Sequence, residues 1–269
     1  MRRIGMLFLS VFSVVLGTAQ SSLAFSVAVF GDNSIDDFVN TQSGFSATLV
    51  TDAQLATAGF LDAFDAFIYT RDGASFGTGL SAPAAANVKS FVTGNVVLFM
   101  TDLADKIGAG APQGEDPLAN KALLNSLSFA TKNGKGFIGE FNGAGFALSQ
   151  NTSGFSGQSL ELVPGTFTGL GNNITQPFNI VQSTHPVTAG LPNPWTSSGG
   201  QDFLASSTGV PSELIVAKGP AGAADQFPTI VASRSEPVPE PLTMSGTALA
   251  AGMGWLMKRK LTQSQKAKV

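Results

Sequence analysis

Phe25-Ser26-Val27-Ala28-Val29-Phe30, closed by Gly31-Asp32, is the stretch that decides the fold. Its apolar run is short and continuous rather than alternating. That is the pattern of a strand buried on both faces, as in a parallel sheet. Gly31-Asp32 supplies a turn, and Ile35, Phe38 and Val39 then fall on one helical face behind Asp32, Asn33 and Ser34. Strand, turn and helix make the first half of a βαβ unit.

The same cadence repeats downstream. Residues 47–50 predict a second short strand, residues 60–64 a helical or turn connection, and residues 66–70 a third strand. Residues 82–93 carry Val88, Phe91 and Val92 at helical spacing, and Gly94 fits the stop. Residues 96–100 predict a fourth strand. Residues 117–129 predict a helix with Leu118, Ala122, Leu123 and Leu127 on one side, and residues 136–139 open a fifth strand. Strands and helices alternating at this spacing imply an α/β fold with a parallel sheet and right-handed crossovers. From residue 142 to 173 glycine and asparagine dominate, and strands are expected at 159–163, 214–218 and 229–232. The economical reading is one three-layer α/β domain, its sheet mostly parallel, with an antiparallel extension. A small second domain after residue 143 is the alternative.

The two ends of the chain read differently. Met1, Arg2 and Arg3, an apolar run over residues 4–16, and Ser22-Leu23-Ala24 have the order of a secretory signal peptide cut before Phe25. A retained N-terminal anchor is the other reading. Near the C-terminus, Val238, Pro239, Glu240 and Pro241 precede an uncharged run over residues 242–257, and Lys258, Arg259 and Lys260 follow it. As a helix that run is about 24 Å long, slightly short of the hydrocarbon core. It can span if the basic residues snorkel. Those residues predict a cytoplasmic C-terminus. The two prolines hold the segment around Glu240 extended, as a processing enzyme needs. On the physics alone, an ordinary single-pass anchor with a Pro-rich stalk fits as well. The expected division is a signal peptide over 1–24, an α/β ectodomain over 25–235, and a tail over 236–269 with a transmembrane helix at 242–257.

Composition narrows the function. The chain has no cysteine, so it has neither disulfides, thiolate nucleophile nor cysteine metal ligands. Residues 25–235 hold 8 basic and 16 acidic side chains, a charge near −8, which argues against nucleic acid as a partner.

The three-part tail resembles a PEP-CTERM sorting signal. That resemblance implies an exported protein of a Gram-negative bacterium with an extracellular polysaccharide system, handled at the inner membrane by an exosortase-type processing enzyme and delivered to the cell surface. The basic extension after Lys260 is longer than such tails usually carry. A second resemblance concerns the ectodomain. His185-Pro186-Val187-Thr188-Ala189-Gly190-Leu191 is similar to a segment of class I glutamine amidotransferase-like domains, including the ThuA-like branch. Residues 136–144, Gly-Phe-Ile-Gly-Glu-Phe-Asn-Gly-Ala, resemble that superfamily's strand and nucleophile elbow, and Asp65-Ala66-Phe67-Ile68 fits its third strand. The resemblance implies a flavodoxin-like fold. Phe141 stands where catalytic members have cysteine, and His185, the single histidine, lies inside the His-Pro-Val-Thr segment. A cysteine–histidine relay needs parts this chain lacks. The expectation is therefore a non-catalytic envelope or matrix protein with a structural or binding role, without a cofactor, with extracellular polysaccharide among its possible partners. A carbohydrate-active or hydrolytic descendant of the fold is the competing class.

Ligands of open parallel sheets bind beyond the carboxyl ends of the strands. Asp32, Arg71, Asp72, Asp102 and Glu140 are expected at that edge. They can be read as an ion or ligand site, since calcium takes several oxygens. They can equally be read as structure: Asp32 capping a helix, Arg71 paired with an aspartate, Glu140 satisfying backbone N–H groups. His185 is expected to fix a turn.

Overall fold

The computed structural model describes residues 24–70, 80–99, 103–111, 114–140, 162–173, 177–195, 203–220 and 228–233. Five parallel strands form one side of an eight-stranded sheet: β1 (Phe25–Phe30), β2 (Phe45–Leu49), β3 (Ala66–Tyr69), β4 (Val96–Phe99) and β5 (Gly136–Glu140). Three antiparallel strands extend it: β7 (Phe178–Ile180), β9 (Ile215–Pro220) and β10 (Pro228–Ala232). The order is β2-β1-β3-β5-β4-β10-β9-β7. Strands β6 (Thr166–Asn173) and β8 (Phe203–Thr208) make a separate antiparallel pair. The fold is α/β with a mostly parallel mixed sheet, as the strand–helix cadence implied.

The helices form where the sequence caps them. In α1 (Asn33–Asn40) Asp32 accepts the Ser34 N–H. The short α2 (Asp52–Leu55) opens with a capping box between Thr51 and Gln54. Ser81 caps α3 (Ala82–Phe91), and Asp116 caps α4 (Pro117–Ala130). Both of the latter carry proline in the first turn, where its missing N–H costs nothing.

Strand alternation sends each strand's side chains into two cores. Val27, Val29, Ala66, Ile68, Val97, Phe99 and Ile138 join α1 and α4 on one face. Ala28, Phe67, Tyr69, Val96, Leu98 and Phe137 join α2 and α3 on the other. The strand order explains the division. The connections β1→β2 and β4→β5 run toward the β2 edge and carry α1 and α4. The connections β2→β3 and β3→β4 run away from it and carry α2 and α3. A single crossover hand puts these two sets on opposite faces. Phe67 and Phe137 are paired in register across β3 and β5, their rings 5.8 Å apart, a contact of about 0.5–1.5 kcal/mol beyond burial.

Two expectations need correction. The second strand is Phe45–Leu49, beginning earlier than residue 47, because Phe45 packs on Phe25 at 5.9 Å and starts the register with β1. Of the strand expected at 159–163, residues 159–161 lie outside the described residues, while Leu162 and Val163 are not in a strand and precede the one that starts at Thr166. Val163 is instead anchored in the core, and Gly165, at φ +111, turns the chain before that strand. Among the described residues no helix is long and apolar enough to cross a membrane. The expected signal peptide and the apolar run at 242–257 lie outside them.

Candidate functional site

The carboxyl ends of β1, β3, β5 and β4 lie side by side. At β1 the chain leaves through Gly31, at φ +117, where an added Cβ would collide with the Thr70 carbonyl oxygen. The Asp32 N–H donates to Thr70 Oγ1 at 2.8 Å, and the Thr70 hydroxyl donates to the Phe30 carbonyl at 3.2 Å. Connections leave β1 and β3 in opposite directions here, the place where open sheets hold ligands. In this chain Gly31 packs closely against Thr70 there. Asp32 is buried and accepts from Ser34 N–H at 2.7 Å. It caps α1.

Glu140 ends β5 and is 3% exposed. Strand β3 separates β5 from β1, so the backbones at Glu140 and Asp32 stand about 10 Å apart. Tyr69 ends β3. Burial first, and then the Glu140 carboxylate, hold its phenol above the usual tyrosine range; it is a neutral hydroxyl at physiological pH. Phe30 stacks on it at 5.8 Å. Arg71, Asp72 and Asp102 lie outside the described residues, as do Phe141 to Ala144 of the elbow, the motif Val238, Pro239, Glu240 and Pro241, and the stop Lys258, Arg259 and Lys260. Among the described residues no three of histidine, cysteine, aspartate or glutamate are grouped to hold a metal ion.

Sequence reading missed the loop between β4 and α4. Lys106 is fully buried there. The Lys106 carbonyl accepts from Asp116 N–H at 2.9 Å. Asn120 accepts from Gly108 N–H at 2.9 Å and donates to Glu115 Oε1 at 2.6 Å. The loop rides on α1: an added Cβ at Gly108 would sit 3.0 Å from Phe38 Cβ. The only signal in the sequence was Asp116-Pro117, which reads as a helix start. Asp36, on α1, has its carboxyl held above the ordinary range by burial, then by Asp37, with Asp32 adding a smaller push.

His185 does fix a turn. Its Nδ1 accepts the Val187 N–H at 3.3 Å, at the start of a 3₁₀ turn over Pro186–Thr188. Its ring meets Phe129 of α4 edge-on at 4.9 Å. Thr188 Oγ1 donates to the Gln182 carbonyl at 2.8 Å. Helix α4 holds the turn: Asn125 donates to the Val187 and Ala189 carbonyls, and Lys121 to the Gly190 carbonyl. Val187 is thereby driven fully into the core. Burial pushes the imidazole's pKa down, so at neutral pH the ring keeps the lone pair that accepts from Val187.

No protein-family model matches the chain, and no curated protein or solved structure matches it.

Proposed function

We propose that the chain is an exported, surface-sorted protein whose flavodoxin-like, amidotransferase-like domain has a non-catalytic, structural or binding role. The observation that carries the sorting half is the order of the tail: Val238, Pro239, Glu240 and Pro241, the uncharged run, then Lys258, Arg259 and Lys260. With a signal peptide at the front, this order exports the chain and pauses it in the inner membrane, where an exosortase-type enzyme meets an extended Pro-Glu-Pro segment. The non-catalytic half is supported by how the reactive groups are used. The chain has no cysteine. Its one histidine spends Nδ1 on a backbone N–H, and Asp32 spends a carboxylate oxygen on a helix cap.

The test is the full chain expressed in a bacterium carrying an exosortase, with Pro239, Glu240 and Pro241 intact or all replaced by alanine. The expected result is a processed, surface-located parent and a variant retained in the inner membrane at precursor size. Identical size and location for the two would end the sorting proposal and leave an ordinary anchor.

A further inference from the structure

Both edges of the eight-stranded sheet end on an asparagine. At the β7 edge, Asn193 Oδ1 accepts the Ile180 N–H at 3.0 Å and its Nδ2 donates to the Ile180 carbonyl at 2.9 Å. At the β2 edge, Asn40 Oδ1 accepts the Ala47 N–H at 2.8 Å and its Nδ2 donates to the Ala47 carbonyl at 3.1 Å. A carboxamide is a peptide group in miniature, and each of these makes the pair of bonds that a neighbouring strand would make.

The two edges are not equally closed. On β7 the other outward residue, Phe178, exchanges both backbone bonds with Trp195 at 2.7 and 3.0 Å, so the segment ending at Trp195 acts as a short extra strand. On β2 the bonds from Phe25 N–H to Gly44 and from Val50 N–H to Val29 turn alternate residues toward β1. Phe45, Ala47 and Leu49 therefore face outward. Among the described residues Phe45 N–H reaches the Gln42 carbonyl alone, at 3.4 Å, and Leu49 is 45% exposed. The usual guards of an edge strand are charge, proline and bulges. Residues 41–51 contain neither a charged residue nor proline, and β2 pairs with β1 in unbroken register.

We propose that Asn40 closes a self-complementary edge, and that the surface it guards accepts strand β2 of a second copy of this chain. A two-fold axis through Ala47 would set the two β2 strands antiparallel, each Ala47 exchanging the bonds now made by Asn40. Phe45 would then lie opposite Leu49 of the second copy, an apolar cross-strand pair formed twice by symmetry. Phe25, 43% exposed and packed against Phe45, extends the same apolar surface.

The experiment compares the full chain with Asn40→Ala by analytical ultracentrifugation over a concentration series, in one buffer. Asn40→Ala is expected to dimerise at a concentration lower by about tenfold or more, the equivalent of roughly 1.4 kcal/mol. Adding Leu49→Lys to it, which sets a charge on the edge, is expected to restore the parent's behaviour. A folded Asn40→Ala with unchanged mass, or association that survives Leu49→Lys, overturns the proposal. If Asn40→Ala does not fold, amide exchange of the parent decides: the Ala47 amide must be protected although it lies on a sheet edge, and exchange as fast as at Leu49 overturns the proposal.

Discussion

The parallel half of the sheet and its antiparallel extension are built on different terms. From β2 to β4 every pairing keeps one register throughout. On the far side the register shifts between β10 and β9 and again between β7 and β9. One of these shifts falls at Val216. Ile230 pairs with Ala217 and Val231 with Ile215, so Val216 is left over as a bulge, and its carbonyl accepts both the Val181 and Gln182 N–H groups. Val216 and Ala217, though consecutive, both pack in the core with α1 and α4. The difference teaches where regularity comes from. Strands covered by a helix layer on each face cannot slip without turning a whole set of side chains into the wrong core. In the extension, long loops and single side chains do that work: Trp195 against Phe178, Asn193 on Ile180, and the His185 turn on α4.

The sharpest way to break the comparison is to empty the core on each side. Phe67→Ala in the parallel half and Trp195→Ala in the extension should each cost about 3–5 kcal/mol, since both side chains are fully buried. Urea denaturation followed by fluorescence and circular dichroism checks this. One shared transition for both variants means the halves fold as a unit; an early, separate transition for Trp195→Ala means the extension is its own cooperative block. Next comes Gly31→Val, expected to lose about 1–3 kcal/mol because a β-branched residue is forced to positive φ against the Thr70 carbonyl. A midpoint within error of the parent would show that the β1–β3 corner can open.

Smaller effects separate cap from clamp. Asp32→Ala should cost about 1 kcal/mol through loss of the α1 cap, while Asp32→Asn or Ser should recover most of it. Asn125→Ala should cost about 1–2 kcal/mol through the unpaired Val187 and Ala189 carbonyls, with increased amide exchange confined to the His185 turn. The smallest effect is that of pH. The folded state lowers the His185 pKa, so the unfolded chain takes up a proton first as pH falls. This contribution to stability is complete above the unfolded value of about 6.5 and is lost as pH drops through it toward the folded value. Thermal melts at pH 7.5 and 5.5 should show the loss in the parent and a smaller one in His185→Gln; equal slopes would remove His185 from the account.

What the sequence alone determined is local. Continuous apolar runs bounded by turn residues marked β1, β3 and β4, because a strand buried on both faces leaves no room for polar alternation. Apolar residues at helical spacing, Leu118, Ala122, Leu123 and Leu127 in one stretch and Val88, Phe91 and Val92 in the other, marked α4 and α3, since that spacing is a property of neighbouring residues alone. The turn at His185 and the capping use of Asp32 were also within reach, as each bonds a backbone two residues away. The tertiary structure decided everything that joins distant segments. Strand β5 enters between β3 and β4, and β10, more than 120 residues beyond β4, pairs with it antiparallel. Lys106 looks in sequence like any surface lysine and is fully buried. Asn40 and Asn193 look like an ordinary helix end and an ordinary loop, yet each completes a sheet edge. The physical reason is that propensity and periodicity report which face of an element is apolar, whereas neighbour and burial depend on which other apolar faces the folded chain brings to it.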